Sequence, residues 1–202
     1  MARRLVGFAV ALTAVCATVS VFSAQQFTQR EADSMAKKLA VILARGTSKP
    51  ATRATALRTP VSEREVNAYL KFYSREQLPV GVVDPSLTLA GNRRVSGRAI
   101  VDLDVVRKAK ERSWLDPAAY LTGSLELLAT GLLQTTNGKG TLLIESAHIG
   151  GVPIPKSLFQ ELVSFYSRSP ELPDGFDLDK PFDLPASIRE VEIQRGAATV
   201  IQ

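Results

Sequence analysis

Few residues of this chain could do chemistry, and none stands in the constellation that chemistry requires. His148 is the only histidine among 202 residues. An imidazole can move a proton or ligate zinc, but zinc needs further His or Cys ligands. The single cysteine, Cys16, is far away in an apolar run near the start. At a strand end beside Gly150-Gly151, His148 reads as structural. Asp102 and Asp104 stand two apart on an expected strand and would share one face. Such a pair serves acid–base or calcium chemistry, yet it also describes an ordinary solvent face. Asp174-Gly175-Phe176-Asp177-Leu178-Asp179 is rich in oxygen but lacks the ligand spacing and closing Glu of a calcium loop, so it reads as a turn. Ser96 and Ser124 have no Gly-x-Ser-x-Gly elbow around them. The chain is therefore read as non-enzymatic, with no catalytic residue, no metal ligand and no cofactor.

The leader is more informative. Arg3-Arg4 precedes Leu5 to Phe22, a run without charge, and the small and polar Ser23-Ala24 follow. A positive start, an apolar stretch and a small-residue exit mark a secretory signal. The run is also long enough to approach a spanning helix of about 20 residues. Residues 1–24 are thus expected to be a signal peptide or a membrane anchor, and both readings stay open. Either places the body in an extracytoplasmic space, periplasmic or secreted, and possibly anchored to the inner membrane by residues 5–22. Thr13-Ala14-Val15 lacks the small residue that a lipoprotein signal places directly before its cysteine. If the leader is removed, no cysteine remains for a disulfide.

The net charge of +5 is unevenly spread. From Gln25 to Arg58 there are seven basic residues against Glu31 and Asp33, whereas from Thr59 onward 16 basic face 18 acidic residues. A nucleic-acid binder needs its basic residues clustered on the folded domain. Here they sit in the leader and the segment after it, which argues against a nucleic-acid partner.

Residues 25–60 are expected to be a helix to Ala44 and a basic linker, Arg45 to Pro60, rich in Thr, Ala and Arg with no apolar period. A single α+β domain, 61–202, follows. It opens on Ser62-Glu63-Arg64-Glu65, a capping box, with Val61 placed to staple onto Val66. Val66, Tyr69, Leu70 and Tyr73 mark one helix face. The period then becomes two: strands around Val82-Val83, Leu87 to Leu89 and Asn92 to Asp104, turning at Gly91-Asn92. Charged residues from Val105 to Ser113 suggest a short helix or an excursion. Leu121 to Thr135 and Gly140 to Ile149 make a hairpin about Asn137-Gly138. A helix from Lys156 to Tyr166 is apolar on more than one side, and Ile188 to Ile193 with Ala197 to Ile201 close the chain as a hairpin. Short hairpins throughout predict a curved antiparallel sheet packed on two main helices. Gly97, Gly123 and Gly131 inside strands permit curvature or close backbone approach.

Three segments carry a family resemblance. They are Val152-Pro-Ile-Pro-Lys-Ser-Leu-Phe-Gln-Glu-Leu-Val-Ser-Phe-Tyr-Ser, Pro181-Phe-Asp-Leu-Pro, and Ile188-Arg-Glu-Val-Glu-Ile-Gln-Arg-Gly-Ala-Ala-Thr-Val. Together with the opening helix Ser62 to Tyr73, the order of elements from Val61 to Gln202 resembles the small bacterial envelope members of the tubular lipid-binding (TULIP) superfamily. The charged stretch Arg107 to Arg112 departs from that pattern. The resemblance implies a groove for a lipid or other long apolar ligand between helices and sheet. Val66, Tyr69, Leu70, Tyr73, Phe159, Leu162, Val163, Phe165 and Tyr166 are its candidate lining. The competing expectation is an envelope interaction module with a packed core and no ligand. Neither names a protein partner; the membrane enters through the N-terminal segment.

Overall fold

The computed structural model describes residues 26–47, 56–76, 78–102, 104–105, 123–170 and 172–202. The expected leader and most of the charged stretch 105–113 lie outside these residues. No helix among the described residues is long and apolar enough to cross a membrane.

Among the described residues three helices and nine strands make an α+β fold with antiparallel sheets. They are α1 (Gln29–Thr47), β1 (Arg58–Ser62), α2 (Glu63–Tyr73), β2 (Val82–Gly91), β3 (Arg94–Asp102), β4 (Ser124–Thr136), β5 (Lys139–Ile149), β6 (Val152–Pro153), α3 (Lys156–Tyr166), β7 (Phe182–Asp183), β8 (Glu190–Gln194) and β9 (Ala197–Ile201). The strands form two sheets where one was expected. The larger runs β2-β3-β4-β5-β6 with β7 also on β5, and the smaller runs β1-β9-β8. Arg58, Thr59 and Pro60, at the end of the stretch read as a linker, belong to β1 and pair with Ile201, Val200 and Thr199. Proline is tolerated there because β1 has a single neighbour and is an edge strand.

Local signals account for the element ends. The Ser62 hydroxyl accepts the Glu65 N–H at 3.2 Å, and the Glu65 carboxylate accepts the Ser62 N–H at 2.8 Å, completing the capping box of α2. Val61 is buried with Leu89, Ile193 and Ala198 in a cluster shared by both sheets. Asn137 and Gly138 have φ of 48° and 80°, as a two-residue hairpin turn requires. The β2–β3 turn falls one residue later than expected, on Asn92 and Arg93, with φ of 52° and 65°.

Side chains join the parts. Asn67 on α2 donates to the Leu87 carbonyl at 2.8 Å and accepts the Leu87 N–H at 2.7 Å, while Glu63 accepts the Leu89 N–H at 2.7 Å. The free edge of β2 is thereby satisfied by a helix, which removes a template for edge pairing. Thr135 does the same for β8, accepting from the Val191 N–H and donating to its carbonyl. Helix α1 is docked along its length. Ala32 and Ile42 are buried, Glu31 pairs with Arg64, Lys38 pairs with Glu65, and Gln202 donates to the Ile42 carbonyl.

Candidate functional site

Residues two apart on a strand share a face, and cross-strand partners share it too. In the larger sheet Leu87 stands opposite Gly97, Gly97 opposite Ala129, and Ala129 opposite Ala147. On the same face Ala99 meets Leu127, Val101 meets Leu125, and Val95 meets Gly131. This face is apolar from edge to edge. The opposite face carries ion pairs, Arg94–Glu145 and Arg98–Glu126, and the Ser96–Thr130 hydroxyl pair at 2.9 Å.

Two separate clusters cover the apolar face. One, near the smaller sheet, gathers Leu87, Val95 and Leu133 around Val61, Leu89, Ile193 and Ala198. The other gathers Leu127, Ala129, Leu142 and Ile144 around Ala147, Phe159 and Leu178. They share no residue. Gly97 lies on the seam, between Leu87 of the first and Ala129 of the second. It is exposed, and a Cβ placed on it would meet no described atom within 4 Å. No large side chain among the described residues is fully buried. Among the described residues the seam is an open apolar strip over β3.

The structure divides the nine expected lining residues. Phe159 is buried and Val163 packs beside it, both on the sheet side of α3. Gln160, Ser164 and Ser167 bind Phe176 and Leu178 of the loop that leads to β7, on the outer edge of β5. Leu162 and Phe165, both half-buried, therefore fall on the side of α3 away from that loop. Tyr166 is half-buried, its ring edge-on to Phe165 at 5.1 Å. On α2, half-buried Val66 and Leu70 follow Glu63 and Asn67 by three and share the side turned to β2. The rings of Tyr69 and Tyr73 meet at a tilt of 53° with centroids 5.7 Å apart. Tyr73 is 40% exposed, and its hydroxyl is taken by Gln29 and Asp33 of α1. Tyr73 is thus joined to α1, a helix expected to lie outside the domain. Ala99, Val101 and Leu127, on the apolar face of the sheet, were not among the residues singled out in the sequence.

The acidic groups singled out in the sequence make local hydrogen bonds and ion pairs. Asp102 accepts the N–H of Asp104 and Val105, and Asp104 accepts that of Gly123, so this pair closes a turn. Asp177 accepts the Asp179 N–H and pairs with Lys180, while Lys156 pairs with Asp179. No group of three or more His, Cys, Asp and Glu is arranged to hold a metal among the described residues. His148 Nδ1 is buried without a hydrogen-bond partner among the described residues. Glu65, like Glu31, has a carboxyl held far below its ordinary range. Burial pushes its carboxyl up, but hydrogen bonds from Lys38, Ser34 and Ser62 overrule this and hold it at about 2. A cleft of about 730 Å³ lies at the tip of the β4–β5 hairpin, lined by Arg93, Gln134, Thr135, Lys139 and Glu190 among others. It contains none of the nine candidates.

No protein-family model matches the chain, and no curated protein matches it. Among solved structures, a crystal structure of lipopolysaccharide binding protein is similar over 77% of this chain, at 14% identity and a TM-score of 0.23. The chain spans 45% of that protein's length. A likeness of that size carries no weight for family, fold or ligand.

Proposed function

We propose that this protein is an exported, non-enzymatic domain that binds a long apolar molecule, such as a lipid chain, on the apolar face of its larger sheet between α2 and α3. The observation that carries the reading is the open seam at Gly97. A sheet face that is apolar throughout, yet covered by two clusters that do not meet, presents hydrocarbon-compatible surface to the outside. Each ligand methylene buried there contributes about 0.8 kcal/mol, so binding needs no reactive group. The apolar leader, as signal or anchor, would deliver the domain beside a membrane from which such molecules come.

Native mass spectrometry of protein purified from membranes tests this. The expected result is a bound species that organic extraction removes, present in the native chain and lost in Leu162→Arg. A bare polypeptide mass under the same conditions contradicts the reading. Comparison of the intact mass of the exported product with that of the full chain decides between cleavage and anchoring.

One observation favours the second reading, an envelope interaction module. Val80, Val83 and Val152 are 59%, 47% and 63% exposed at the end of the sheet remote from the hairpin tip. Under that reading a protein covers this end. Complex formation that survives Leu162→Arg, with no lipid in the native chain, would establish it.

A further inference from the structure

Glycine inside a strand weakens it, because it gives up side-chain packing and costs more backbone entropy than any other residue. A structural cause is visible for the neighbouring glycines. Gly91 has φ of 82°, a Cβ on Gly131 would meet the Leu143 carbonyl oxygen at 2.7 Å, and one on Gly140 would meet the Phe182 ring at 2.6 Å. Among the described residues Gly97 has no such cause. Its φ is not positive, its pairing with Leu87 and Ala129 is in register, and the bulges of β2 and β4 fall elsewhere. Nothing described approaches it.

Resting on the apolar-ligand reading above, we infer that Gly97 is the contact residue that sets the depth of the groove. A hydrocarbon chain lies against the bare backbone of β3 there, in the space a side chain would fill. The flanking side chains on that face, Leu87, Val95, Ala99 and Ala129, offer no hydrogen-bond donor or acceptor. The part of the ligand that crosses Gly97 is therefore an unsubstituted alkyl or acyl chain, with any polar head beyond the seam.

Stearate carrying an anthroyl fluorophore is the probe. Its affinity and the melting temperature are measured for the native chain, Gly97→Val, Gly97→Ala and, as a control on the polar face opposite Ser96, Thr88→Val. Valine suits a strand better than glycine. Gly97→Val should melt at or above the native temperature and bind the probe at least tenfold more weakly. Gly97→Ala should weaken binding severalfold, and Thr88→Val should leave it unchanged. A residue needed only for folding would give the reverse, lower melting with affinity kept. Native affinity in a folded Gly97→Val overturns the inference. If that variant does not fold, native affinity in Gly97→Ala overturns it. A native chain that fails to bind the probe overturns the apolar-ligand reading itself, and this inference with it.

Discussion

Helices α2 and α3 are both 11 residues long and lie over the same sheet, but they are held by different chemistry. Helix α2 begins on a full capping box, and Glu63 and Asn67 grip the backbone of the edge strand directly. Helix α3 begins after Pro155 with no side-chain cap, and meets the sheet through Phe159 and Val163. Directional bonds fix a helix in one place, because a small shift breaks them. Apolar packing is non-directional, and the directional bonds of α3 run instead from Gln160, Ser164 and Ser167 to Phe176 and Leu178. Helix α2 is therefore tied to the sheet itself by hydrogen bonds, and α3 rests on the sheet by packing while bonded to a loop.

Substitutions should expose that difference, beginning with the largest effect. Phe159→Ala removes the apolar anchor of α3 and should cost about 3 kcal/mol in urea unfolding. Asn67→Ala leaves the N–H and carbonyl of Leu87 without partners and should cost about 2 kcal/mol. If Asn67→Ala proves the more damaging, the assignment of roles to the two helices is reversed. Glu65→Gln should cost about 1–2 kcal/mol through the cap and its bonds to α1. Glu65 also gives the α2 side a pH dependence. Its carboxyl titrates near 4.5 when unfolded and at about 2 in the fold. Its contribution is complete above pH 4.5 and is lost as pH falls from there toward 2. The native chain should lose stability across that window, and Glu65→Gln should lose correspondingly less. The smallest effect belongs to the polar sheet face. Arg94→Gln breaks an exposed ion pair with Glu145 and should leave the melting midpoint within experimental scatter.

The same contrast explains what the sequence disclosed. Helix α2 and the Asn137-Gly138 hairpin were legible because their determinants lie within a few residues of one another. The bounds of α3 were legible for the same reason, bracketed by Pro155 and Ser167. The smaller sheet was not, since β1 pairs with a strand at the far end of the chain, Arg58 opposite Ile201, and its Thr, Arg and Pro residues read as linker. Docking of α1 was hidden likewise: its buried Ala32 and Ile42 showed the helix, while its partners Arg64, Glu65 and Gln202 are distant in sequence. Tyr73 shares the spacing of Val66 and Leu70, but the partners of its hydroxyl, Gln29 and Asp33, lie on α1 some 40 positions earlier. Asn67 offered a signal that went unused, a polar residue on an otherwise apolar helix face, which must find bonds when buried.

The most direct test locates the guest. A stearate bearing a nitroxide on its chain, added to isotope-labelled protein, broadens the amide signals nearest to it. The account predicts strong broadening at Gly97, Ala99 and Leu162, with Thr141 in the polar cleft untouched. Broadening confined to the cleft or to the exposed valines, or none at all, would contradict it.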